Sequence, residues 1–226
     1  MANYTYAAYT ASNGVKLHTI KTSPNNIWIN YIGASNVPSQ SYYGVNGGYF
    51  DPDTGNLLQI ALNNDKPVNG TKNDYGSGYE NVKVARGTLV WDATESQFSV
   101  QIVKSAADLH VIKRTRYWAQ GGISMSLNSD STWASQADKE NMQNRTGNAF
   151  RTGLVYNNTN NIWLIVTDVK CTAAEFRTAI KEKVGSGTLV NGIFLDGSGS
   201  SQMKCKEKKV YGDEREVYQM VALRNE

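Results

Sequence analysis

The stretch NGIFLDGSGSSQM, residues 191–203, runs three large apolar residues into an acid and then into glycines and serines. Ile193, Phe194 and Leu195 in succession leave no side of a strand for water, which predicts a strand buried on both faces and ending at Asp196. Gly197 and Gly199 permit a sharp turn, and Ser198, Ser200 and Ser201 carry short hydroxyls that can donate to oxygens. Successive N–H groups in such a turn can cradle an anion. Asp-Gly-Ser is equally common in solvated loops, and both readings stay open at this point.

Upstream of this stretch, Thr172 and Glu175 have the spacing of a capping box. Phe176, Ala179, Ile180 and Val184 recur at helical spacing, and Gly185 stands where a C-terminal glycine belongs. Residues 162–167 read as a strand. Strand, helix and strand over 162–195 therefore predict a crossover unit with two parallel strands, whose carboxyl ends would make Asp168 and Asp196 neighbours. Further strands are expected at 27–32, 82–85, 88–91, 98–103 and 217–223. Residues 153–156 and 162–167 flank an asparagine-rich loop and read as a hairpin. A weaker helical pattern covers 135–142, and the polar loop 63–79 has the length of a lid or binding loop. The expected fold is α+β: a single domain over residues 1–226 with a mixed β-sheet core and a few helices, including the crossover near the C-terminus.

With 226 residues the chain can bury a sizeable core. Its 23 basic and 20 acidic residues leave +3, too balanced for a nucleic-acid footprint. The cluster from Lys204 to Lys209 reads as a solvated hairpin end. Neither a membrane span nor, in MANYTYAAYTASNG, a secretory pattern is present, so a cytoplasmic protein or one released by lysis is expected. Cys171 and Cys205 lie in no metal-spaced motif and are expected to be free thiols.

Other constellations carry chemistry. In GVNGGYFDP, residues 44–52, Asn46 can donate and accept, Gly47 and Gly48 let bare backbone approach a ligand, Tyr49 or Phe50 can stack on a sugar, and Asp51 can act as acid or base. The alternative is an Asn-Gly turn with core aromatics. Gln120-Gly121-Gly122 again brings bare backbone into play. Arg151 offers a planar charged fork for phosphate with the Thr152 hydroxyl beside it. Only two histidines, His18 and His110, are present, and neither lies in a glycine-rich motif. Histidine-rich metallophosphodiesterases and serine hydrolases therefore lose ground. Residues 197–201 also miss the G-x-S-x-G elbow, having serine at the last glycine. Carboxylate chemistry of the glycosidase kind remains.

Taken in order, Asn46-Gly47-Gly48-Tyr49-Phe50, the glycine pair, Arg151-Thr152-Gly153, a strand ending at Asp168, a helix, Leu195-Asp196-Gly197-Ser198-Gly199-Ser200-Ser201 and Arg215 before a last strand resemble the phosphodiester glycosidase family over roughly residues 40–224. Ser198 and Val169 stand where the family usually has glycine. The resemblance implies an α+β domain that breaks the bond between an anomeric carbon and a phosphodiester, releasing free sugar and a phosphomonoester.

The expected site follows. Arg151, Thr152, Asn46, Gly47, Gly48 and the 197–201 turn hold phosphate and sugar, Asp196 and Asp168 act as acid, base or nucleophile, and Asp51 stands in reserve. A carboxyl separation of about 5 Å would predict retention, and about 6.5–9.5 Å inversion. No cofactor is required, although Asp168, Asp196 and nearby hydroxyls are the right chemistry for Ca²⁺ or Mg²⁺. The expected partner is a small or polymeric sugar-1-phosphodiester, with no nucleic acid and no membrane. Competing readings are a non-catalytic module for phosphorylated sugars or nucleotides, such as a phage-encoded protein, and a virion component with a vestigial site.

Overall fold

The computed structural model describes residues 3–226. Strands take up 39% of the chain and helices 15%, so the fold is mostly β rather than an even mixture. Three sheets form it, and every strand pair within them is antiparallel. The first has six strands in the spatial order Tyr4–Thr10, Lys16–Thr22, Ile162–Thr167, Thr152–Asn157, Leu189–Phe194 and Ile123–Ser124. The second centres on Gly44–Asn46 and Val217–Leu223, and the third on Tyr117–Gly121 and Arg86–Asp92.

The first sheet is the middle layer, and this explains the apolar triplet at 193–195. Ile193 and Leu195 point into a core shared with the other sheets, among them Ile29, Val45 and Val221. Phe194 points the other way, against Phe176 and Ile180 of helix α2 (Ala173–Lys183). Side chains alternate along a strand, so a strand covered on both faces must be apolar at every position. The same alternation runs through Leu154, Val155 and Tyr156 of the neighbouring strand.

Helix α2 begins at the expected capping box: the Thr172 hydroxyl accepts from the Glu175 amide, and the Glu175 carboxylate accepts from the Thr172 amide. The helix ends at Val184, with Gly185 beyond it in the left-handed region. The shorter helix, α1 (Trp133–Lys139), starts and ends earlier than its sequence pattern predicts. The hairpin of Thr152–Asn157 with Ile162–Thr167 and the last strand, Val217–Leu223, form as expected.

Two expectations fail. Residues 82–85 are not a strand but an irregular lead-in to Arg86–Asp92. Ile162–Thr167 and Leu189–Phe194 do run in the same direction, but Thr152–Asn157 lies between them, paired antiparallel to both. The hairpin claims one side of Ile162–Thr167 and Lys16–Thr22 claims the other, so α2 must carry the chain over an intervening strand. Strands two places apart sit about 9–10 Å from each other. The crossover therefore does not make Asp168 and Asp196 neighbours, and the sheet is antiparallel rather than mixed.

Among the described residues no helix is long and apolar enough to cross a membrane. Cys171 and Cys205 are both free and buried.

Gly44 shows how tightly the second sheet is closed: a Cβ there would lie 2.1 Å from the Val221 carbonyl oxygen. Gly44→Ala is expected to cost about 3 kcal/mol in urea unfolding, because backbone rather than a flexible side chain must yield. Gly33→Ala, which meets open space at φ +63, is expected to cost only the roughly 1–2 kcal/mol of left-handed backbone. Equal losses in the two variants would contradict the packing argument.

Candidate active site

Asp196 sits where the first two sheets meet. The Leu195 amide donates to the Thr152 carbonyl at 2.9 Å, continuing the sheet, and the Asp196 amide then crosses to the Gly47 carbonyl at 3.1 Å. Asn46, 1% exposed, locks the junction. Its Nδ2 donates to the carbonyls of Asp196 (2.9 Å) and Gly47 (3.2 Å). Its Oδ1 accepts from the Thr152 hydroxyl (2.8 Å) and the Gln202 amide (3.0 Å). Thr152 Oγ1 also lies 3.0 Å from Ser201 Oγ. Asn46, Thr152 and Ser201 thus bond to one another and to the surrounding main chain, and Thr152 also lines a recess beside Asp196.

The turn after Asp196 holds the acid more than it offers a cradle. The Gly197 amide donates to Asp196 Oδ1 at 3.0 Å, and the Ser198 amide to the Phe150 carbonyl at 2.8 Å. The amides of Ser200 and Ser201 bond back to Gly197 and Ser198. Ser198 adopts φ +55, accessible to glycine without strain, and is the exposed member of the turn, whereas Ser200 and Ser201 are buried. At Gly199 a Cβ would lie 2.0 Å from Asp213 Oδ2, the end of a half-exposed side chain.

Gly47 and Gly48 also serve the interior. A Cβ on Gly47 would lie 2.1 Å from Gln219 Oε1, and one on Gly48 2.4 Å from Gln59 Oε1. Those amides take the backbone donors of the segment: Gly48 donates to Gln219 and Tyr49 to Gln59. Gln219 in turn donates to Gln120, tying in the third sheet.

Tyr49, Asp51 and Asp196 border a cleft of about 840 Å³, within the usual range for ligand sites. The aromatics Phe50 and Tyr218 pack at 5.1 Å on one wall. Tyr75, 64% exposed, reaches the rim from the long loop expected at 63–79. Asp51 faces the same cleft while its Oδ1 accepts from the Asp53 amide at 2.9 Å.

Burial pushes Asp196 up to about 6, against the weaker opposing pull of the Ser200 hydroxyl, the Gly197 amide and Arg215. The carboxylate keeps a path to cleft water but is surrounded by protein elsewhere, so it titrates near neutrality. Burial likewise pushes the Tyr49 phenol up to about 12, although Arg86 and Arg151 oppose this.

The cationic side chains Lys83, Arg86 and Arg215 line the cleft. Arg151, which lines a recess adjoining Asp196, donates to the carbonyls of Cys171 (3.1 Å), Asn144 (2.8 Å) and Gly147 (2.6 Å). Arg86, not singled out in the sequence, donates to the carbonyls of Glu140 (2.9 Å) and Val82 (2.8 Å) and lies 5.9 Å from the Tyr49 ring centroid. Both are buried, and among the described residues neither has a carboxylate within salt-bridge range. Burial lowers both pKa values, but guanidinium stays charged. An arginine followed by glycine, as at 86–87, is too ordinary a pair to mark such a site.

Asp168 lies elsewhere. It faces a separate cavity of about 170 Å³ beside Phe150 and Lys208. His18 Nε2 stands 2.8 Å and Lys208 Nζ 3.3 Å from its Oδ2. Burial acts to raise Asp168, but these two neighbours outweigh it and hold the carboxyl below its ordinary value. Asp168 and Asp196, expected as a pair, line different cavities. Among the described residues no three His, Cys, Asp or Glu side chains converge as a metal-ligand group.

Comparison with known proteins follows the same lines. The family model for phosphodiester glycosidase matches residues 39–224. No curated protein matches the chain in sequence. Among solved structures, the catalytic domain of zebrafish N-acetylglucosamine-1-phosphodiester alpha-N-acetylglucosaminidase, auto-inhibited by its pro-peptide, superposes with a TM-score of 0.63 at 14% identity, covering 100% of this chain and 83% of that one. A hypothetical protein from Synechocystis gives 0.52 at 12% identity, covering 98% and 62%. A protein of Burkholderia pseudomallei described as exported gives 0.39 at 17%, covering 98% and 57%. The expectation of a cytoplasmic or lysis-released protein is not upheld.

The raised Asp196 has a consequence for stability. Its folded value exceeds the unfolded one, so its contribution is fully present below about pH 4 and is lost as pH rises through about 6. A shift from 3.8 to about 6 corresponds to on the order of 2–3 kcal/mol. Asp196→Asn is expected to raise Tm by about 4–8 °C at pH 8 and to leave it unchanged at pH 4. The same Tm difference at both pH values would mean that Asp196 ionises normally.

Proposed function

The chain belongs to the phosphodiester glycosidase family, and on that basis we propose that it is a hydrolase breaking the bond between a sugar's anomeric carbon and a phosphodiester oxygen. The products are free sugar and a phosphomonoester. The observation that carries this reading is a carboxyl raised to about 6 that borders both the cleft lined by Arg86 and the recess lined by Arg151, two buried guanidiniums held by main-chain carbonyls.

The phosphodiester lies toward Arg86 and Arg151, whose remaining donors supply the charge-assisted bonds that phosphate favours. Arg215, on the cleft wall and paired with Asp213 at 2.9 Å, adds positive potential. Phe50 and Tyr218 offer apolar faces for a sugar ring. Asp196, as carboxylate, takes a proton from the water that attacks the anomeric carbon, and the C–O bond to the phosphate breaks. The departing phosphate is weakly basic and already held by cations, so it leaves without a strong acid beside it. One well-placed carboxylate suffices on this mechanism, and Asp51 faces the same cleft as the second acid.

Incubation with UDP-N-acetylglucosamine and a simple N-acetylglucosamine-1-phosphodiester, followed by ³¹P and ¹H NMR, tests the proposal. The expected products are N-acetylglucosamine with UDP or the phosphomonoester. Release of sugar-1-phosphate would mean attack at phosphorus and would sink the mechanism. A base must be ionised, so kcat/KM is expected to rise with pH through about 6. Asp196→Asn is expected to lower kcat by about 10²–10⁴.

A further inference from the structure

The cavity that holds Asp168 lies across a single turn from the cleft. Gly197 and Ser198 border the recess beside Asp196, while Phe150, whose carbonyl accepts the Ser198 amide, borders the Asp168 cavity. Gly212 closes that cavity and touches the same turn, since a Cβ there would lie 2.1 Å from the Gly199 carbonyl oxygen.

Two lysines and one carboxylate line this cavity. Asp168 is engaged by His18 and Lys208, and Glu207, the other carboxylate of the hairpin, accepts from the Tyr4 hydroxyl at 2.8 Å. Lys209 borders the cavity, and Lys170 extends 5.7 Å from the Phe150 ring centroid. Both lysines are exposed, and neither has a carboxylate within salt-bridge range among the described residues. Tyr211, 47% exposed, forms the outer wall. The basic hairpin end is therefore half of a pocket rather than only a solvated turn.

We propose that the cavity between Phe150 and Tyr211, with Lys170, Lys208 and Lys209, is a second phosphate subsite, occupied by the next repeat of a sugar–phosphate chain whose scissile bond lies over Asp196. The proposal rests on the hydrolase reading and specifies its substrate class as a polymer of sugar phosphates. At about 170 Å³ the cavity is smaller than the roughly 300 Å³ at which ligand pockets usually begin. It accommodates a phosphate with part of a sugar or polyol but not a nucleoside, which disfavours nucleic acid.

The test compares kcat/KM for a monomeric sugar-1-phosphodiester and for a chain of several sugar-1-phosphate repeats, using wild type and the exposed double variant Lys170→Glu/Lys209→Glu. The ratio of oligomer to monomer kcat/KM is expected to fall about tenfold in the variant; an unchanged ratio overturns the subsite. Calorimetric titration with short-chain inorganic polyphosphate reads the same site without turnover, and at least fivefold weaker binding by the variant is expected. Weaker binding with no hydrolysis of either substrate would retain the subsite and remove the hydrolase reading. Hydrolysis of both substrates with equal polyphosphate binding would do the reverse. A single-stranded oligonucleotide of matched charge that binds more tightly than the sugar-phosphate chain would overturn the assignment to a sugar polymer.

Discussion

The side-chain amide of Asn46 is the constraint on which the cleft depends. A neutral amide has two donor hydrogens and two acceptor lone pairs, and in this nearly inaccessible position all four are used. Two of these bonds reach main chain of the segment carrying Asp196 and Gln202, one reaches Thr152 in the first sheet, and one reaches the carbonyl of the next residue, Gly47. No other side chain of similar volume makes the same set: leucine would orphan the buried carbonyls, and aspartate would bring a charge and no donors. The glutamines behind it extend the arrangement, with Gln219 and Gln59 occupying the space that Gly47 and Gly48 leave open and Gln120 continuing it into the third sheet. Buried polar networks of this kind are costly when incomplete and position-defining when complete.

That rigidity is what lets an unfavourable electrostatic arrangement persist. Asp196 is held where its charge is disfavoured, while Arg86 and Arg151 are held by main-chain carbonyls, the buried Glu140 carboxylate acting on Arg86 from beyond salt-bridge range. An isolated chain segment would relax all three into water. Here the carbonyls of residues 144, 147 and 171 grip Arg151, those of residues 82 and 140 grip Arg86, and the Gly47–Thr152 junction grips Asp196. Departures from local stability rules concentrate at functional sites because a bound ligand resolves them. A phosphodiester is of the right charge to resolve the two cations, and water is the partner that a near-neutral carboxyl can use.

Much of this was legible in the amino acids. The strand into Asp196, the capped helix, the asparagine-rich hairpin and the last strand each follow from local chemistry, because apolar runs and capping boxes act over a few residues. The ordered motifs pointed to the family that the comparison with family models then matched. What failed was non-local. Nothing within residues 162–195 says that the preceding hairpin strand inserts between the two crossover strands, and that insertion alone moves Asp168 into another cavity. Gly47 and Gly48 stand out in the sequence, but nothing local to them says that Gln219 and Gln59 crowd against them. Arg86 carried no signal, since only the fold brings it against Tyr49.

The displacement of Asp168 bears on the chemistry as well as the topology. An ordinary glycoside has a poor leaving group, so its hydrolysis calls for two carboxyls at a defined spacing, one of them to protonate the departing oxygen. A phosphate bonded to the anomeric carbon leaves as a stable anion, and the requirement for that proton is largely replaced by a requirement for positive charge near the oxygens. The acid engaged by His18 and Lys208 lines a separate cavity, whereas Arg86 lines the cleft beside Asp196 and Arg151 the recess adjoining it.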